Sequence, residues 1–473
     1  MKKCLDHPVF RVISDIVTRR DVSAYVIGGF VRDCILGRDH SIQDIDILIV
    51  GKGIEIAREV ASSLIPKPKV SIFKRFGTAM FRYGDMEIDF VGARKESYSP
   101  DSRKPAVEEG TLEDDQRRRD FTVNAMAISL KRESYGAFID PFNGLKDLQD
   151  RILRTPLDPD VTFSDDPLRM MRAIRFATEL DFQLSTEVEE GIRKNRDRIS
   201  IVSMERITTE LNKIMMADTP SRGFLLMDKT GLLAIILPEV YTLKGVETRE
   251  GKSHKDVFLH TLQVLDNISR KSDNLWLRWA ALLHDIAKPA TKKFMPDHGW
   301  TFHGHEFLGS RMVPRIFRNL KLPLHERTNY VSKLVALHLR PIALVTEQIT
   351  DSALRRLIFD AGDDLEDLMT LCEADITSRN PGKVRKHLNN FKFVRLKLKE
   401  IEDKDAIRNF QPPVSGEEIM KIFGIPPSKT VGIIKEAIKD AILDGKIHNS
   451  REEALRLMYK LGEEIGLKPA DQK

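Results

Sequence analysis

Asp44 and Asp46 stand two residues apart at the head of an apolar run, Asp44-Ile45-Asp46-Ile47-Leu48-Ile49-Val50. Residues i and i+2 of a strand share a face, so the two carboxylates are expected side by side. Such a pair repels unless a cation stands between its members, and hard oxygen ligands suit Mg²⁺ or Mn²⁺. Two ions held this way can activate an attacking hydroxyl and neutralise a triphosphate in an in-line displacement. Asp89, in Met86-Glu87-Ile88-Asp89-Phe90 on another candidate strand, is a candidate third member of this catalytic set. Upstream, Gly28-Gly29-Phe30-Val31-Arg32-Asp33 follows an apolar strand and precedes a helical stretch. The glycines let the backbone approach a phosphate, and the helix terminus offers free N–H groups to it.

A second constellation lies further along. His284-Asp285, in Leu282-Leu283-His284-Asp285-Ile286-Ala287-Lys288-Pro289, sets imidazole beside carboxylate, a start for a divalent-metal site. His260, His305 and Asp375 extend it, and the chain's histidines cluster here, which favours ligands over scattered surface imidazoles. His303 and His338 can each be a further ligand or, equally well, a residue that simply packs or bonds to a backbone carbonyl. The mixed nitrogen and oxygen donors leave the metal's identity open.

These residues need elements to hold them. The first ~95 residues mix period-two apolar stretches (Ala24 to Gly29, Ile45 to Val50, Thr78 to Tyr83, Met86 to Val91) with helical ones, which predicts a small mixed sheet. From about Asp165 onward strand signals nearly vanish, and apolar residues fall three and four apart, the helical period. The expected fold class is therefore α+β, a small N-terminal mixed-sheet head followed by a mainly helical body. With 473 residues the chain exceeds a single core, and roughly two to four domains are expected. Breaks near Ser99 to Gln116, Thr155 to Pro167, Glu247 to Asp256 and Asn409 to Glu418 suggest a head over 1–145, a neck over 146–245, a metal-binding domain over 246–385 and a helical tail over 386–473.

Beyond the paired aspartates the head resembles the class II tRNA nucleotidyltransferases and related bacterial poly(A) polymerases, of the polymerase β-like superfamily. The resemblance rests on Gly28 to Asp33, on Asp44 to Val50, and on Arg118-Arg119-Asp120-Phe121-Thr122-Val123-Asn124-Ala125, which matches a motif contacting the ribose and triphosphate of the incoming nucleotide. An arginine pair suits phosphate oxygens, and Asp or Asn suits ribose hydroxyls. Asp140-Pro141-Phe142-Asn143-Gly144 resembles the hinge between head and neck. Asp165-Asp166-Pro167-Leu168-Arg169, followed by a helix carrying Arg172 and Arg175, resembles the segment whose Asp and Arg select the base. By that resemblance Asp166 and Arg169, expected on one helix face, pair with the Watson–Crick edge of CTP or ATP, while G and U would leave polar groups unpaired. Asp165 stands where relatives carry Glu, and is expected to support the base readers. Glu205 and Arg206, in a further neck motif, can equally form a structural ion pair.

The resemblance implies Mg²⁺ or Mn²⁺ in the head; CTP and ATP as substrates bound by Gly28, Gly29, Arg32, Arg118, Arg119, Asp120, Asn124, Asp166, Arg169, Arg172 and Arg175; tRNA as partner; and CCA as product. The loop from about Arg94 to Gln116 favours CCA over poly(A), CC-only or A-only addition. The set His260, His284, Asp285, His305 and Asp375 resembles HD-domain phosphohydrolases, which implies a second divalent metal and 2′,3′-cyclic phosphodiesterase activity. A silent RNA-binding head beside a working HD site is the reading from another class, and intact Asp44, Asp46, Asp120, Asp166 and Arg169 argue against it.

Net charge +5 and pI near 8.8 permit a polyanion without requiring one. No apolar stretch approaches the ~20 residues of a membrane span, and the amino terminus lacks a secretory pattern, so a cytoplasmic location without membrane partners is expected. Cys4, Cys34 and Cys372 are odd in number and widely spaced, and are expected to be incidental. The sequence sets no oligomeric state.

Overall fold

The computed structural model describes residues 2–38, 44–74, 77–99, 102–346, 350–378, 380–405, 408 and 410–470. The chain divides into two compact units, Met1–Ile236 and Leu237–Lys473.

The first unit opens with helix α1 (Pro8–Arg19), started by proline in its first turn and by His7, whose Nδ1 accepts from Val9 N at 3.2 Å. Strand β1 (Ala24–Ile27), helix α2 (Gly29–Ile35), β2 (Asp44–Ile49), α3 (Gly53–Ser63), β3 (Ser71–Phe73), β4 (Thr78–Tyr83) and β5 (Met86–Gly92) follow. With β8 (Ala127–Ser129) and β9 (Phe138–Ile139) they build one seven-stranded sheet of order β3-β4-β5-β2-β1-β8-β9. Only β2 and β5 run parallel; the other pairs are antiparallel, so the sheet is mixed as the alternation predicts. Ile45, Ile47, Ile88 and Phe90 point into the core under α1 and α3, which leaves the intervening Asp44, Asp46, Glu87 and Asp89 on the other face.

The stretch expected as a loop from Arg94 to Gln116 is instead a hairpin, β6 (Arg94–Ser99) with β7 (Ser102–Glu109), followed by helix α4 (Leu112–Arg117). Its polar composition hid the strands, because it carries no apolar alternation to signal them. Thr111 and Asp114 close a reciprocal capping box on α4.

Helix α5 (Gly144–Asp150) starts where the Asp140 carboxylate accepts from Gly144 N at 2.7 Å and Leu145 N at 2.9 Å. Beyond it lie β10 (Ile152–Leu153), α6 (Pro159–Asp165), α7 (Leu168–Glu179), β11 (Gln183–Leu184), α8 (Thr186–Asn195), α9 (Met204–Met216), α10 (Pro220–Thr230) and α11 (Leu232–Ile236). Helix α7 packs on α9 and α10 through buried Met170, Met171, Ile174, Ile207, Leu211 and Phe224.

The second unit is helical apart from two short hairpins, β12 (Thr248–Arg249) with β13 (Lys252–Ser253) and β14 (Lys293–Met295) with β15 (Gly299–Thr301). Its helices are α12 (Pro238–Tyr241), α13 (Val257–Ser269), α14 (Leu275–Leu283), α15 (Lys288–Thr291), α16 (His305–Asn319), α17 (Glu326–Leu337), α18 (Leu339–Thr346), α19 (Asp351–Ala361), α20 (Leu365–Ala374), α21 (Pro381–Asp405), α22 (Gly416–Phe423), α23 (Lys429–Leu443) and α24 (Arg451–Glu464). Helix α14 is apolar on nearly every face and sits at the centre, with Trp279 and Leu282 fully buried. Arg356 of α19 fastens α23 by donating to Asp440 at 3.0 Å and Asp444 at 2.8 Å.

The cysteines are not all incidental. Cys4 and Cys34 form a disulfide across a Cα separation of 5.9 Å, because the fold returns the first turn to α2, a proximity that spacing along the chain does not reveal. Cys372 is buried in α20 and donates to His338 O.

Candidate functional sites

The head site is assembled where β1, β2 and β5 run side by side. Asp46 lies opposite Ile27 in the β1–β2 register and opposite Asp89 in the β2–β5 register, while Asp44 lies opposite Glu87. Four acids thus form a two-by-two array on one face, of which Glu87 escaped the sequence reading. Arg82 takes up Glu87 at 2.9 Å. Burial pushes the Asp46 carboxyl above its ordinary value; Arg119 opposes this, and Asp115 and Asp44 add to it. Asp89 is pushed up to about 6, by burial first and then by the charges of Asp46, Glu87 and Asp44. An array of carboxylates that resist ionising together is the electrostatic signature of a cation site, and its oxygen-only donors fit Mg²⁺ or Mn²⁺.

Gly28 joins β1 to α2 with φ +89°, and a Cβ there would stand 2.9 Å from Asp46 Oδ2 and 3.0 Å from an Arg119 Nη1. Only glycine lets the chain pass this close to both. Gly29 is the first residue of α2 and has ordinary space around it, the nearest atom being Arg32 Nη2 at 3.5 Å. The Gly-Gly motif is therefore the helix start itself.

The arginines are held before any ligand arrives. Asp115 of α4, fully buried, pairs with Arg118 and accepts from Arg119 Nε at 3.1 Å. Arg32 donates to both oxygens of Asp33, at 2.8 and 2.7 Å, and to Asn124 Oδ1 at 2.7 Å. Asp120 accepts from Asn124 Nδ2 at 3.1 Å, from Phe121 N at 2.9 Å and from Arg172 Nε at 2.8 Å. Burial would raise the Asp120 carboxyl, but Arg172, Asn124 and Arg169 outweigh it and hold it at about 2. Phe176 is the plate between them, with Arg32 and Arg172 5.1 and 5.4 Å from its ring centre. Arg175 lies 3.9 Å over the same ring but is buried, paired with Glu210 and with Glu179 at 2.8 Å, and faces the helical layer.

Asp166 and Arg169 do not share one helix face. Proline disfavours the helical conformation in the residue before it, so Asp166 is extended (φ −134°, ψ 99°) and ends α6, while Arg169 is the second residue of α7. The Asp166 carboxylate accepts from Leu168 N at 3.2 Å and lies 3.5 Å from Arg206, and Arg169 donates to Arg118 O at 2.6 Å. Arg206 therefore pairs with Asp166 and not with Glu205. Asp165 is the last residue of α6.

In the second unit five helices bring their ends together. His260 of α13, His284 and Asp285 after α14, His305 at the start of α16, His338 after α17 and Asp375 after α20 converge. His260 Nε2 is 2.9 Å from Asp375 Oδ1, His284 Nε2 is 3.2 Å from Asp285 Oδ2, and His305 Nε2 is 3.2 Å from Asp285 Oδ1. The Nδ1 atoms of His284, His305 and His338 meet backbone carbonyls at 2.8, 2.7 and 2.7 Å, which turns each Nε2 inward. Those three Nε2 atoms are buried without a hydrogen-bond partner. Among the described residues the sets of three or more donors lying within 4.8 Å of one another are His260-His284-Asp285 and Asp285-His305-His338, both here. Asp285 is shared by both. Inward lone pairs beside two carboxylates, at the C-terminal ends of three helices, fit a divalent cation. His303 is exposed and outside the cluster, while His338 belongs to it.

Three families match successive stretches: the Poly A polymerase head domain over residues 24–154, the "Probable RNA and SrmB- binding site of polymerase A" over 181–243, and the HD domain over 257–379. An A-adding tRNA nucleotidyltransferase of Deinococcus radiodurans is 34% identical over 364 residues, 75% of this chain and 80% of that relative. The chain belongs to the tRNA nucleotidyltransferase family. A CCA-adding enzyme of a Geobacillus species is 29% identical over 91% of both chains. Among solved structures, the Bacillus stearothermophilus CCA-adding enzyme in complex with CTP superposes with a TM-score of 0.65, covering 97% of this chain and 99% of that one at 24% identity, a likeness of fold.

Within this member of the family, several supporting residues were missed in the sequence. Asp115 was detectable, since an acid three and four residues before an arginine pair on a helix anchors both. Asp33 and Phe176 lay inside recognised motifs without an assigned role. Glu87 stands two residues from Asp89, as Asp44 does from Asp46, but its place opposite Asp44 depends on the β2–β5 register, which the sequence does not reveal.

Proposed function

We propose that this chain adds CCA to the 3′ end of tRNA, using CTP and ATP and releasing pyrophosphate, and that its second unit is a metal-dependent phosphohydrolase acting on 2′,3′-cyclic phosphates. The observation that carries the first part is Asp46, wedged between Asp89, Gly28 and Arg119 on a face of otherwise repelling carboxylates. Mg²⁺ or Mn²⁺ bound by Asp44, Asp46 and Asp89 would supply activation of the attacking hydroxyl and neutralisation of the triphosphate.

The chain's own groups do the rest. Gly28 lets the backbone approach the nucleotide's phosphates, and Arg119, steered by Asp115, sits beside the carboxylates where triphosphate oxygens arrive. Arg118 and Arg32 complete the cationic wall, and Asp120, Asn124 and Arg172 form a network that positions the ribose. Asp166 and Arg169 present the base edge with an acceptor and a donor, Arg206 and the Arg118 carbonyl orienting them. Helical neck (146–245), HD domain (246–385) and tail (386–473) hold the tRNA by shape and phosphate contacts. The reaction belongs in the cytoplasm; no helix among the described residues is long and apolar enough to cross a membrane.

A tRNA transcript ending at the discriminator base, given Mg²⁺ with CTP, ATP or both, tests this. Three nucleotides added only with both substrates is the expected result. A second reading, addition of A alone, is favoured by the name of the Deinococcus relative; extension confined to transcripts already ending in CC would select it. No extension of either transcript overturns both. For the second unit, failure to open a 2′,3′-cyclic nucleotide with any divalent ion overturns the phosphohydrolase.

A further inference from the structure

A cleft of about 430 Å³ opens beside the histidine cluster of the second unit, with His260 and Asp375 at its floor. Its rim is basic, with His254, Lys255 and Lys288 and, from α21, Lys383 and His387, and Phe302 lines it too. Asp375 is the one acid lining it. His254, Lys255, Lys383 and His387 fall outside the stretch matched by the HD domain, residues 257–379. Lys288 is committed to Asp285 at 2.6 Å, whereas Lys383 and His387 line the cleft and belong to neither donor set of the cluster.

We propose that this rim is a second phosphate subsite, so that the second unit acts on the 3′ end of an RNA strand in preference to a free mononucleotide. The inference rests on the phosphohydrolase reading of the cluster. A terminal cyclic phosphate at the floor leaves the next phosphate, on the 5′ side of the same nucleotide, about one nucleotide's length away toward the rim. Lys383 and His387 meet it there, and the half-buried ring of Phe302 lines the same cleft beside the intervening base. In the reaction, water adds to phosphorus and one ring P–O bond breaks, the released ribose oxygen taking up a proton.

The test compares the full-length, metal-loaded protein on adenosine 2′,3′-cyclic phosphate and on a dinucleotide ending in the same cyclic adenylate. The dinucleotide is expected to be favoured in kcat/KM by about tenfold, the scale of two partly exposed charge contacts. The Lys383→Ala/His387→Ala double substitution should bring that ratio toward one, as should raised salt. Fluorescence anisotropy with a labelled dinucleotide 3′-phosphate should show the same loss of binding in the variant. A ratio of one in the unaltered protein, or a preference that survives the double substitution, overturns the subsite while leaving the phosphohydrolase standing. Hydrolysis of neither substrate overturns both.

Discussion

At the scale of single residues, the head site is a set of charges that the fold forces together at a cost in stability. Asp89 shows it most directly. Its folded-state value of about 6 stands above the ordinary 3.8, so folding favours its protonated form. The sign follows: without bound metal, stability falls as pH rises from about 3.8 through about 6 and is level above that. Asp89→Asn removes the repulsion, and at pH 8 in a chelator the variant should be the more stable, by about 1 kcal/mol once the group's partial exposure to solvent is discounted. At pH 3.5 the two proteins should unfold alike in urea. A variant less stable at pH 8 would mean that Asp89 makes contacts outweighing the repulsion. Asp120 is the opposite case, a buried carboxylate kept ionised by Arg172 and Asn124, which makes it part of the scaffold as well as of the proposed ribose wall.

At the scale of elements, the junction between β1 and α2 decides whether the site can close. Its φ of +89° with ψ of −144° belongs to glycine, and a methyl group would collide with Asp46 and Arg119. Gly28→Ala should therefore cost about 1–3 kcal/mol in stability and lower nucleotide transfer at least about tenfold. Gly29→Ala, inside α2 with ordinary space, should change stability by under about 0.5 kcal/mol or raise it, because alanine is the better helix former. Equal losses in both variants on thermal melting would remove the close-approach argument. The same contrast explains how far the sequence could be read. The four strands written as period-two apolar stretches were legible, as was the helical body. The short strands β3, β8 and β9 were not, since three or two residues carry no period, and the β6–β7 ribbon was not, since its sequence has no apolar alternation. The α6–α7 break at Pro167 was written in the sequence but overlooked, and with it the true placement of Asp166. His338 could not be assigned because a histidine's tautomer and aim are set by the carbonyl its other nitrogen meets, here Val335 O.

At the scale of the whole molecule, each of the two units contains one complete constellation, closed by its own elements. In the second unit's cluster the imidazoles and carboxylates hold one another's charge. Burial opposes charge on His284, but Asp285 and Asp375 push it up to about 10, whereas burial and the charge on His284 push His338 down to about 4. A divalent ion held by the inward nitrogens of His284, His305 and His338 would take the place of the His284 proton, and its binding energy would become folding energy for this unit. Trp276, Trp279 and Trp300 are all the tryptophans of the chain, and all lie in the second unit, so tryptophan fluorescence reports that unit's unfolding alone. With metal about a hundredfold above its dissociation constant, the gain is about 2.7 kcal/mol, or roughly 5–10 °C for a unit of this size. EDTA should lower the tryptophan-detected melting temperature by that amount. In His338→Ala the melting temperature should already be low and respond little to the chelator, since one of the inward ligands is gone. If the tryptophan transition ignores EDTA in the unaltered protein, or responds fully in His338→Ala, then the cluster holds no stabilising ion through this histidine, and its convergence is a matter of packing.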